Sequence, residues 1–469
     1  QRNAEAKSQL YGELVRRGQF LSHPHTRKNW RAELTVASSL LDRDTYGDWL
    51  AAGAKTAAER AQEEVAGRLA RTAVPPLPPE TEAALIGPSG ETQSLISCVV
   101  NNKGRAAGRS GLGAVMGSKR LKAVAVNGNM QAPLADRDKT RALRRQYLAD
   151  LSEGGVTLRD YGTGGFMAGS AMSGDGPIKN WGGAGPTDFP NAKAISDDAL
   201  IAEQEKKYGC WNCPVACGGE MKQKPGRARM SHKPEYETLC MCGALSLDDD
   251  LESIIRMNDL CNDYGLDTIS LGSTLGFAVE CCENGILTKE DVGGLDLKWG
   301  ASDALVALTE KIGKREGIGN ILADGVKVAA ERIGQGSERY AVHAQGQELP
   351  AHDPKFNPGL AVTYRMDATP GRHTQAARDW ILGYKHLAES PNKYDFSDTG
   401  EAQRKAYSFV HVVNAAGICL FGYIAYPAQC VPDTLTAVTG TTYTMEDCYK
   451  IGERIATLGT PSCCATGAV

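Results

Sequence analysis

Arg105-Ala-Ala-Gly-Arg-Ser-Gly-Leu-Gly-Ala-Val-Met-Gly-Ser-Lys119 is a glycine-rich loop between two apolar, β-branched runs. The two runs, Leu95 to Val100 and Leu121 to Val126, have the composition of β-strands. Glycines let the backbone approach a bulky polar ligand, and Arg105 and Arg109 can make bidentate contacts with phosphate. The loop therefore predicts a small β-containing unit with a phosphate-binding turn. A tight turn between two strands, without a ligand, stays open as an alternative.

Two nucleotide-binding motifs do not fit this loop. A P-loop needs a lysine after its last glycine, and here Ser118 follows Gly117. A dinucleotide fingerprint needs an acidic ribose partner about 20 residues on, and no convincing one ends the second run. The loop therefore matches neither of these two nucleotide-binding motifs.

The second informative stretch is Cys210-Trp-Asn-Cys213-Pro-Val-Ala-Cys217, which places three thiols within eight residues. Three thiolates on one short turn can hold three corners of a soft metal centre. An iron-sulfur cubane needs four thiolates, so the spacing predicts a distant fourth, for which Cys419 is the candidate. Zinc is the competing interpretation, but structural zinc sites usually contain two short Cys/His pairs. Unligated core cysteines are the remaining alternative.

Helical patterns surround these motifs. Residues 1–72 are predicted to be helical, most clearly from Ala54 to Arg71. Val74-Pro-Pro-Leu-Pro-Pro79 then stops helix formation and forms a stiff spacer. Leu251 to Tyr264 is the clearest later helix, because acidic residues precede it and Gly265 follows it.

Composition limits the classes of function. The balance of 52 basic against 56 acidic residues argues against nucleic acid or an anionic membrane as the main partner. No apolar run approaches the length of a membrane span, and no basic-then-apolar leader opens the chain. Fourteen cysteines, several of them adjacent, fit a reducing compartment. We therefore expect a cytoplasmic protein of two or three domains, which begins at Gln1 inside a longer reading frame or after processing.

From Ile86-Gly-Pro-Ser-Gly-Glu91 onward, the chain resembles the aldehyde ferredoxin oxidoreductase family. The ordered matches cover roughly residues 86 to 458. Besides the glycine-rich loop and the cysteine motif, they include Tyr161-Gly-Thr-Gly, Lys179-Asn-Trp181, Pro234-Glu-Tyr-Glu237, Gly265-Leu-Asp-Thr-Ile-Ser270, Glu348-Leu-Pro350, Gly371-Arg-His373, Gly417-Ile-Cys-Leu-Phe421 and Lys450-Ile-Gly-Glu-Arg454.

This resemblance implies a tungsten (or molybdenum) atom held by two pterin dithiolenes, beside one [4Fe-4S] cluster. It implies that Cys210, Cys213, Cys217 and Cys419 ligate the cluster. It also implies a set of pterin-binding positions: Arg105, Ala106, Gly108, Arg109, Asn262, Gly265, Leu266, Asp267, Asn414, Gly417 and Ile418.

Glu237 and His373 match the two polar residues that the family places near the metal. A carboxylate can act as general base for aldehyde oxidation while a nearby imidazole hydrogen-bonds the substrate oxygen. Without the resemblance, Glu237 would be interpreted as a surface or capping carboxylate and His373 as a structural histidine.

Residues 1 to about 85 resemble something else, the C-terminal tail of the trimethylamine methyltransferase family. The matches are His23-Pro-His-Thr26, Leu41-Asp-Arg-Asp-Thr-Tyr46 and Trp49-Leu-Ala-Ala-Gly-Ala-Lys55, followed by the proline-rich ending. Members of that family are TIM barrels, and a barrel cannot close from its tail, so we expect no methyl transfer. The chain thus resembles an oxidoreductase that lacks the N-terminal part and the C-terminal end of its family.

Three departures from the family pattern affect ligand binding. Two turns that carry Asp-x-x-Gly-Leu in the family are Asn262-Asp-Tyr-Gly-Leu266 and Asn414-Ala-Ala-Gly-Ile418 here. Asparagine offers an acceptor oxygen but lacks the charge that strengthens a hydrogen bond to a pterin amine. The positions of a Glu-x-x-His interface metal are Arg256 and Asp259, so we expect no such metal in a possible homo-oligomer.

The resulting hypothesis is a mainly α protein with a small β-containing N-terminal remnant (α+β) and two largely helical domains. Its segments are residues 1–85 (helical tail and spacer), 86–131 (remnant of the pterin-binding sheet), 132–343 and 344–469, with the cluster between the last two. The predicted activity is oxidation of a small aldehyde, with electrons passed to ferredoxin or another low-potential acceptor. The same family scaffold also serves ring reduction of aromatic thioesters. The alternative is an iron-sulfur-binding remnant or chimera without an active pterin site.

Overall fold

The computed structural model describes residues 33–38, 81–101, 104–128, 132–380, 387 and 392–465. The helix predicted at Ala54 to Arg71 and the proline-rich spacer lie outside these residues. The described part is mainly helical, with one five-stranded antiparallel sheet and two short hairpins, which confirms the predicted fold class. No described helix is both long enough and apolar enough to cross a membrane.

The sheet has the order β1-β5-β2-β3-β4. Its strands are β1 (Glu33–Ser38), β2 (Glu82–Ile86), β3 (Val99–Asn101), β4 (Arg105–Ala107) and β5 (Leu121–Asn127). The two hairpins consist of β6 (Gln204–Tyr208) with β7 (Gly218–Met221), and of β8 (His343–Ala344) with β9 (Gln347–Glu348).

The prediction of a strand from Leu121 to Val126 is confirmed, and β5 forms the second strand of the sheet, between β1 and β2. The prediction of a strand from Leu95 to Val100 is wrong over its first four residues. A turn replaces them, because the Ser97 hydroxyl bonds the Ser94 carbonyl and the Cys98 amide bonds the Gly265 carbonyl. The helical prediction for residues 1–72 is wrong at Glu33–Ser38, which pairs with β5 instead.

The helices follow in chain order. The first nine are α1 (Pro88–Glu91), α2 (Leu112–Ser118), α3 (Arg137–Gly154), α4 (Val156–Asp160), α5 (Met167–Ser173), α6 (Gly185–Asp188), α7 (Asp197–Ala202), α8 (Tyr236–Thr238) and α9 (Leu251–Tyr264). The others are α10 (Thr268–Glu283), α11 (Ser302–Lys314), α12 (Gly319–Leu322), α13 (Gly325–Ile333), α14 (Gly359–Met366), α15 (Thr399–Ala415), α16 (Leu420–Ala425), α17 (Cys430–Thr439) and α18 (Met445–Ala465).

Helix α9 confirms its sequence prediction at both ends. The Asp250 carboxylate accepts a hydrogen bond from the Glu252 amide at the N-terminus, and Gly265 ends the helix with φ of 73°. Ile254 and Met257 are fully buried on its inner side. Helix α10 starts three residues after Gly265, because the Asp267 carboxylate caps it by accepting hydrogen bonds from the amides of residues 269 and 270.

Two large hydrophobic cores organise the helices of the described residues, beside smaller clusters. The larger core is built mainly from α9, α10, α11 and α13, and extends over residues 96 to 351. The smaller core contains α15, α16, α17 and α18, and it also includes Tyr147 from α3. Helix α3 thus packs among elements that follow it by more than 200 residues, which ties the two halves of the chain together.

Candidate active site

Glu237 and His373 lie together in the structure, although 136 residues separate them in sequence. Glu237 belongs to α8, and His373 begins a single 3₁₀ turn, His373–Gln375. The Glu237 Oε1 atom is 3.3 Å from the His373 Nε2 atom. The other carboxylate oxygen, Oε2, accepts a 2.8 Å hydrogen bond from the Ala351 amide. The backbone therefore fixes one oxygen of Glu237 and leaves the other facing the imidazole.

A second histidine, His352, completes this group and was not identified from the sequence. Its Nε2 atom lies 3.6 Å from Glu237 Oε1, and its Nδ1 atom lies 2.8 Å from an oxygen of Asp175. Trp380 packs edge-on against the imidazole, with ring centroids 4.3 Å apart. The only local signal for His352 was its position two residues after the segment Glu348-Leu-Pro350.

Burial changes the acid-base properties of Glu237 and His373 in opposite directions. Burial raises the pKa of Glu237, against the opposing effects of His352, the Ala351 amide and Arg109. Burial also places the pKa of His373 well below its usual value, and His352 and Arg109 act in the same direction. Near neutral pH, His373 is therefore a neutral imidazole beside a carboxyl group whose affinity for a proton is increased.

Arg109 connects this group with the glycine-rich loop. Its guanidinium donates to the backbone carbonyl of Glu348 and lies 3.5 Å from the Asp267 carboxylate. Its Nη1 atom is buried and has no hydrogen-bond partner among the described residues. A buried guanidinium nitrogen without a partner is costly, so it marks a position where a bound anionic or carbonyl group would be stabilised.

The glycines of the loop serve two purposes. A Cβ atom at Gly111, Gly113 or Gly117 would come within 1.9–2.7 Å of a backbone carbonyl of residue 95, 98 or 90. These three glycines are therefore required because the loop packs tightly against its own chain. A Cβ atom at Gly108 would only touch the Asp267 carboxylate at 3.4 Å, so Gly108 leaves the backbone open beside Arg109. The part of the loop that leaves space for the predicted ligand is accordingly short and lies around β4, in which Ala106 is exposed.

Arg105 extends from β4 towards the cysteine motif. It donates a 2.7 Å hydrogen bond to Glu235 and a 3.6 Å hydrogen bond to the Cys217 sulfur. Burial raises the pKa of the Cys217 thiol to about 11, with Glu235 acting in the same direction and Arg105 opposing it. The Arg105 charge therefore favours a thiolate at Cys217, which is the form that binds a metal.

The cysteine motif forms a compact turn. The Cys213 amide bonds the Cys210 carbonyl, and Asn212 and Ala216 have φ of 55° and 50°. Asparagine adopts this left-handed conformation readily, but it is uncommon for an alanine. Cys210 is exposed, Cys213 is half-buried and Cys217 is buried.

Cys419 reaches the same region from the other half of the chain. It is the N-cap residue of α16, and Phe421 and Ile424 of that helix pack in one apolar cluster with Cys213 and Cys217. Tyr426 packs in the same cluster, and the nearby Cys213 and Cys419 add to the effect of burial, which raises the pKa of its phenol. The four predicted ligands therefore occur on two elements that pack against each other.

The two asparagine turns occupy different environments. Gly265, with Leu266 after it, ends α9 and packs against the backbone of Gly87, while Asp267 caps α10. Asn262 lies in the last turn of α9. Asn414 uses its amide nitrogen to donate to Gln375, at 2.6 Å, and to Thr374. The turn that contains Gly417 and Ile418 is therefore held next to His373, at the edge of the candidate site.

The residues present fit both cofactors implied by the sequence. All four cysteines are free thiols on packed elements, which suits a cluster ligand set. Arg105 Nε and Arg109 Nη1 are buried donors without hydrogen-bond partners among the described residues, and they suit the phosphates of a pterin. The acid-base pair Glu237 and His373 adjoins the second of these arginines.

Comparison with known proteins shows the family of the chain. Residues 141–459 match the model of aldehyde ferredoxin oxidoreductase, domains 2 and 3. The chain belongs to the aldehyde ferredoxin oxidoreductase family. The model of the family's N-terminal domain matches residues 53–128, so this relationship begins before residue 86, where the sequence motifs placed it. Residues 2–87 match the trimethylamine methyltransferase family, in agreement with the predicted resemblance.

Relatives in this family include a tungsten-containing aldehyde ferredoxin oxidoreductase of Pyrococcus abyssi. It is 36% identical over 387 residues, which are 80% of this chain and 62% of the relative. A protein of Pyrococcus furiosus, named as the WOR-like subunit of an aliphatic sulfonate oxidoreductase, is 34% identical over 66% of this chain and 50% of its own length. The chain thus spans less than two thirds of the length of these relatives.

A solved structure shows the same fold. The active site complex BamBC of benzoyl coenzyme A reductase in complex with 1,5-dienoyl-CoA superposes with a TM-score of 0.67. The match covers 87% of this chain and 68% of the other chain, at 20% sequence identity.

Proposed function

We propose that this chain oxidises a small aldehyde to a carboxylate and passes the electrons to ferredoxin or another low-potential acceptor. The named activity of its relatives and the chemistry of its own residues both support this reaction. When bound, a tungsten (or molybdenum) bis-pterin would supply two-electron chemistry and a [4Fe-4S] cluster would supply one-electron transfer. Residues 210, 213, 217 and 419 would hold the cluster, and the loop around β4 would hold the pterin.

The observation that carries this proposal is the placement of two arginines four residues apart. Arg105 contacts Cys217, and the charge of Arg109 influences the pKa of both Glu237 and His373. One short loop is thus linked both to a predicted cluster ligand and to the predicted acid-base pair. This link supports an oxidoreductase in which proton removal and electron transfer occur in one region.

Glu237 is suited to the role of general base. Its Oε2 atom is fixed by the Ala351 amide, and its Oε1 atom faces the histidines without an accepted hydrogen bond from the described residues. A buried carboxyl with a raised pKa takes up a proton from water more readily at neutral pH than an exposed carboxylate does. His373 is neutral, so it can donate an N–H to a substrate oxygen without placing a full positive charge there.

The test is aldehyde-dependent reduction of ferredoxin by Glu237→Gln. Loss of a general base predicts a fall in kcat of at least about 100-fold. The visible absorbance of the cluster should stay unchanged, because Glu237 does not contact the cysteines. Glu283→Gln is the control, since Glu283 lies on the outer end of α10 and pairs with Lys179. Wild-type rates in Glu237→Gln would overturn the assignment, as would an equal loss in Glu283→Gln.

A further inference from the structure

Asp175 and His352 form a buried pair behind the candidate active site. Asp175 lies just after α5. Its carboxylate accepts hydrogen bonds from Asn357, at 3.0 Å, and from Ser170, at 3.3 Å. Because these donors already face both carboxylate oxygens, the proton in the 2.8 Å contact with His352 must lie on Nδ1 of the imidazole. The backbone reinforces the pair, since the Asp353 amide bonds the Asp175 carbonyl at 2.7 Å.

This tautomer determines what His352 offers to Glu237. With Nδ1 protonated, the neutral ring presents the lone pair of Nε2 to Glu237 Oε1, which is 3.6 Å away. The distance is longer than a hydrogen bond, but such contacts often shorten once substrate is bound. Glu237 Oε1 is also the oxygen that accepts no hydrogen bond from the described residues. A proton acquired on that oxygen would therefore have His352 Nε2 as an acceptor.

The two imidazoles beside Glu237 differ in their ability to hold a positive charge. His373 is closer, at 3.3 Å, but the other groups that influence it are His352, Arg109 and Arg372, and all of them oppose its protonation. His352 has the Asp175 carboxylate at hydrogen-bond distance on its far side. A positive charge on His352 would be paired with the Asp175 carboxylate, whereas the other groups that influence His373 include no such partner.

Other titratable groups near Glu237 influence the pKa of its carboxylate, but they do not replace His352 as a proton acceptor. The groups that interact with its carboxylate are Arg109, Asp267, Tyr236, Tyr364, Cys240, His352 and His373. Burial raises the pKa of both tyrosines and of the cysteine, so these three stay protonated and cannot accept a proton. Both oxygens of Asp267 already accept hydrogen bonds as the cap of α10, so His352 is the acceptor that remains among the groups named here.

We propose that His352, oriented by Asp175, takes from Glu237 the proton that this carboxylate removes during the reaction. In this step the O–H bond at Glu237 Oε1 breaks and an N–H bond forms at His352 Nε2, with no transfer of electrons. Glu237 returns to the carboxylate form and the positive charge on His352 is paired with Asp175. The inference rests on the proposed function, and it makes His352 and Asp175 positioning residues that act through Glu237.

The Asp175–His352 pair allows Glu237 to release the proton that it takes up during the reaction. Oxidation of an aldehyde with water releases protons as well as two electrons. A carboxyl whose pKa is raised by burial retains the first proton, so it needs an acceptor before it can serve as a base again. The relay supplies that acceptor inside the buried site.

The experiment compares His352→Gln and Asp175→Asn with His411→Gln, which removes a buried imidazole on α15 away from Glu237. The first readout is an infrared titration of the Glu237 carboxyl band, identified by its loss in Glu237→Gln. Once His352 carries the proton, its positive charge lowers the pKa of Glu237, so removal of the imidazole should make the protonated carboxyl band persist to higher pH. Asp175→Asn should shift the band in the same direction while keeping the shape of the site.

The second readout is steady-state aldehyde oxidation. Both site variants should lower kcat at least about 10-fold with little change in KM, and should move the acid limb of the pH profile upward. An unshifted carboxyl titration in either site variant, or the same shift in His411→Gln, would overturn the relay. The titration requires no turnover, so a wild-type protein that fails to oxidise aldehydes would refute the proposed function separately.

Discussion

Gly265→Ala disturbs the contact between the end of α9 and the backbone of Gly87. Gly265 has φ of 73°, and an added Cβ atom would lie 2.7 Å from the Gly87 nitrogen and 3.0 Å from the Gly87 Cα atom. The left-handed conformation alone costs an alanine about 1 kcal/mol. The contact with a neighbouring backbone adds about 1–3 kcal/mol, because the backbone cannot rotate away as a side chain could. The expected loss of unfolding free energy is therefore about 2–4 kcal/mol.

Gly285→Ala is the matched control for this substitution. Gly285 also follows a helix and has φ of 69°, but nothing lies within 4 Å of its added Cβ atom. It should lose only the conformational part, about 1 kcal/mol. Urea unfolding followed by tryptophan fluorescence measures both variants. Equal losses of unfolding free energy in the two variants would refute the claim that the close Gly87–Gly265 contact adds to the cost of Gly265→Ala.

Three further substitutions test other parts of the structure. Cys213→Ala should abolish bound iron, whereas Cys430→Ala, in the smaller core, should retain it. The measurement is the iron content per chain of each variant, and retained iron in Cys213→Ala would refute the predicted ligand set. Burial raises the pKa of Asp259 to about 7 from its ordinary value of 3.8, so the folded state holds a proton that the unfolded chain releases. Stability should therefore fall as pH rises from about 4 to 7, and Asp259→Asn should reduce this slope in urea titrations; an unchanged slope would contradict the assignment. Asp250→Ala should cost about 1 kcal/mol by removing the N-cap of α9, while the exposed Asp303→Ala should change stability by less than about 0.5 kcal/mol; equal effects would show that the cap contributes nothing.

Local sequence patterns predicted the elements whose causes are local. Helix α9 has its capping aspartate and its terminal glycine within one stretch of chain, and both act as the pattern indicated. Strand β5 is an apolar, β-branched run, and this composition suits a strand that pairs with β1 on one side and β2 on the other. The Leu95 to Val100 prediction failed because the decisive bond, from Cys98 to the Gly265 carbonyl, crosses more than 160 residues.

The candidate site also contains some residues that local patterns predict and others that they do not. Glu237 and His373 were found because they lie in recognisable segments, and the structure brings them together. The sequence does not indicate a role for His352 or Asp175, because neither belongs to a local motif and 177 residues separate them. Their significance depends on a hydrogen bond that only the folded chain reveals.

The measurement that tests the central claim most directly is elemental analysis of anaerobically purified protein for iron, tungsten and molybdenum. The account predicts about four irons and about one tungsten or molybdenum per chain. Iron at that level without either heavier metal would contradict the proposed oxidoreductase and would indicate a protein that binds only the cluster.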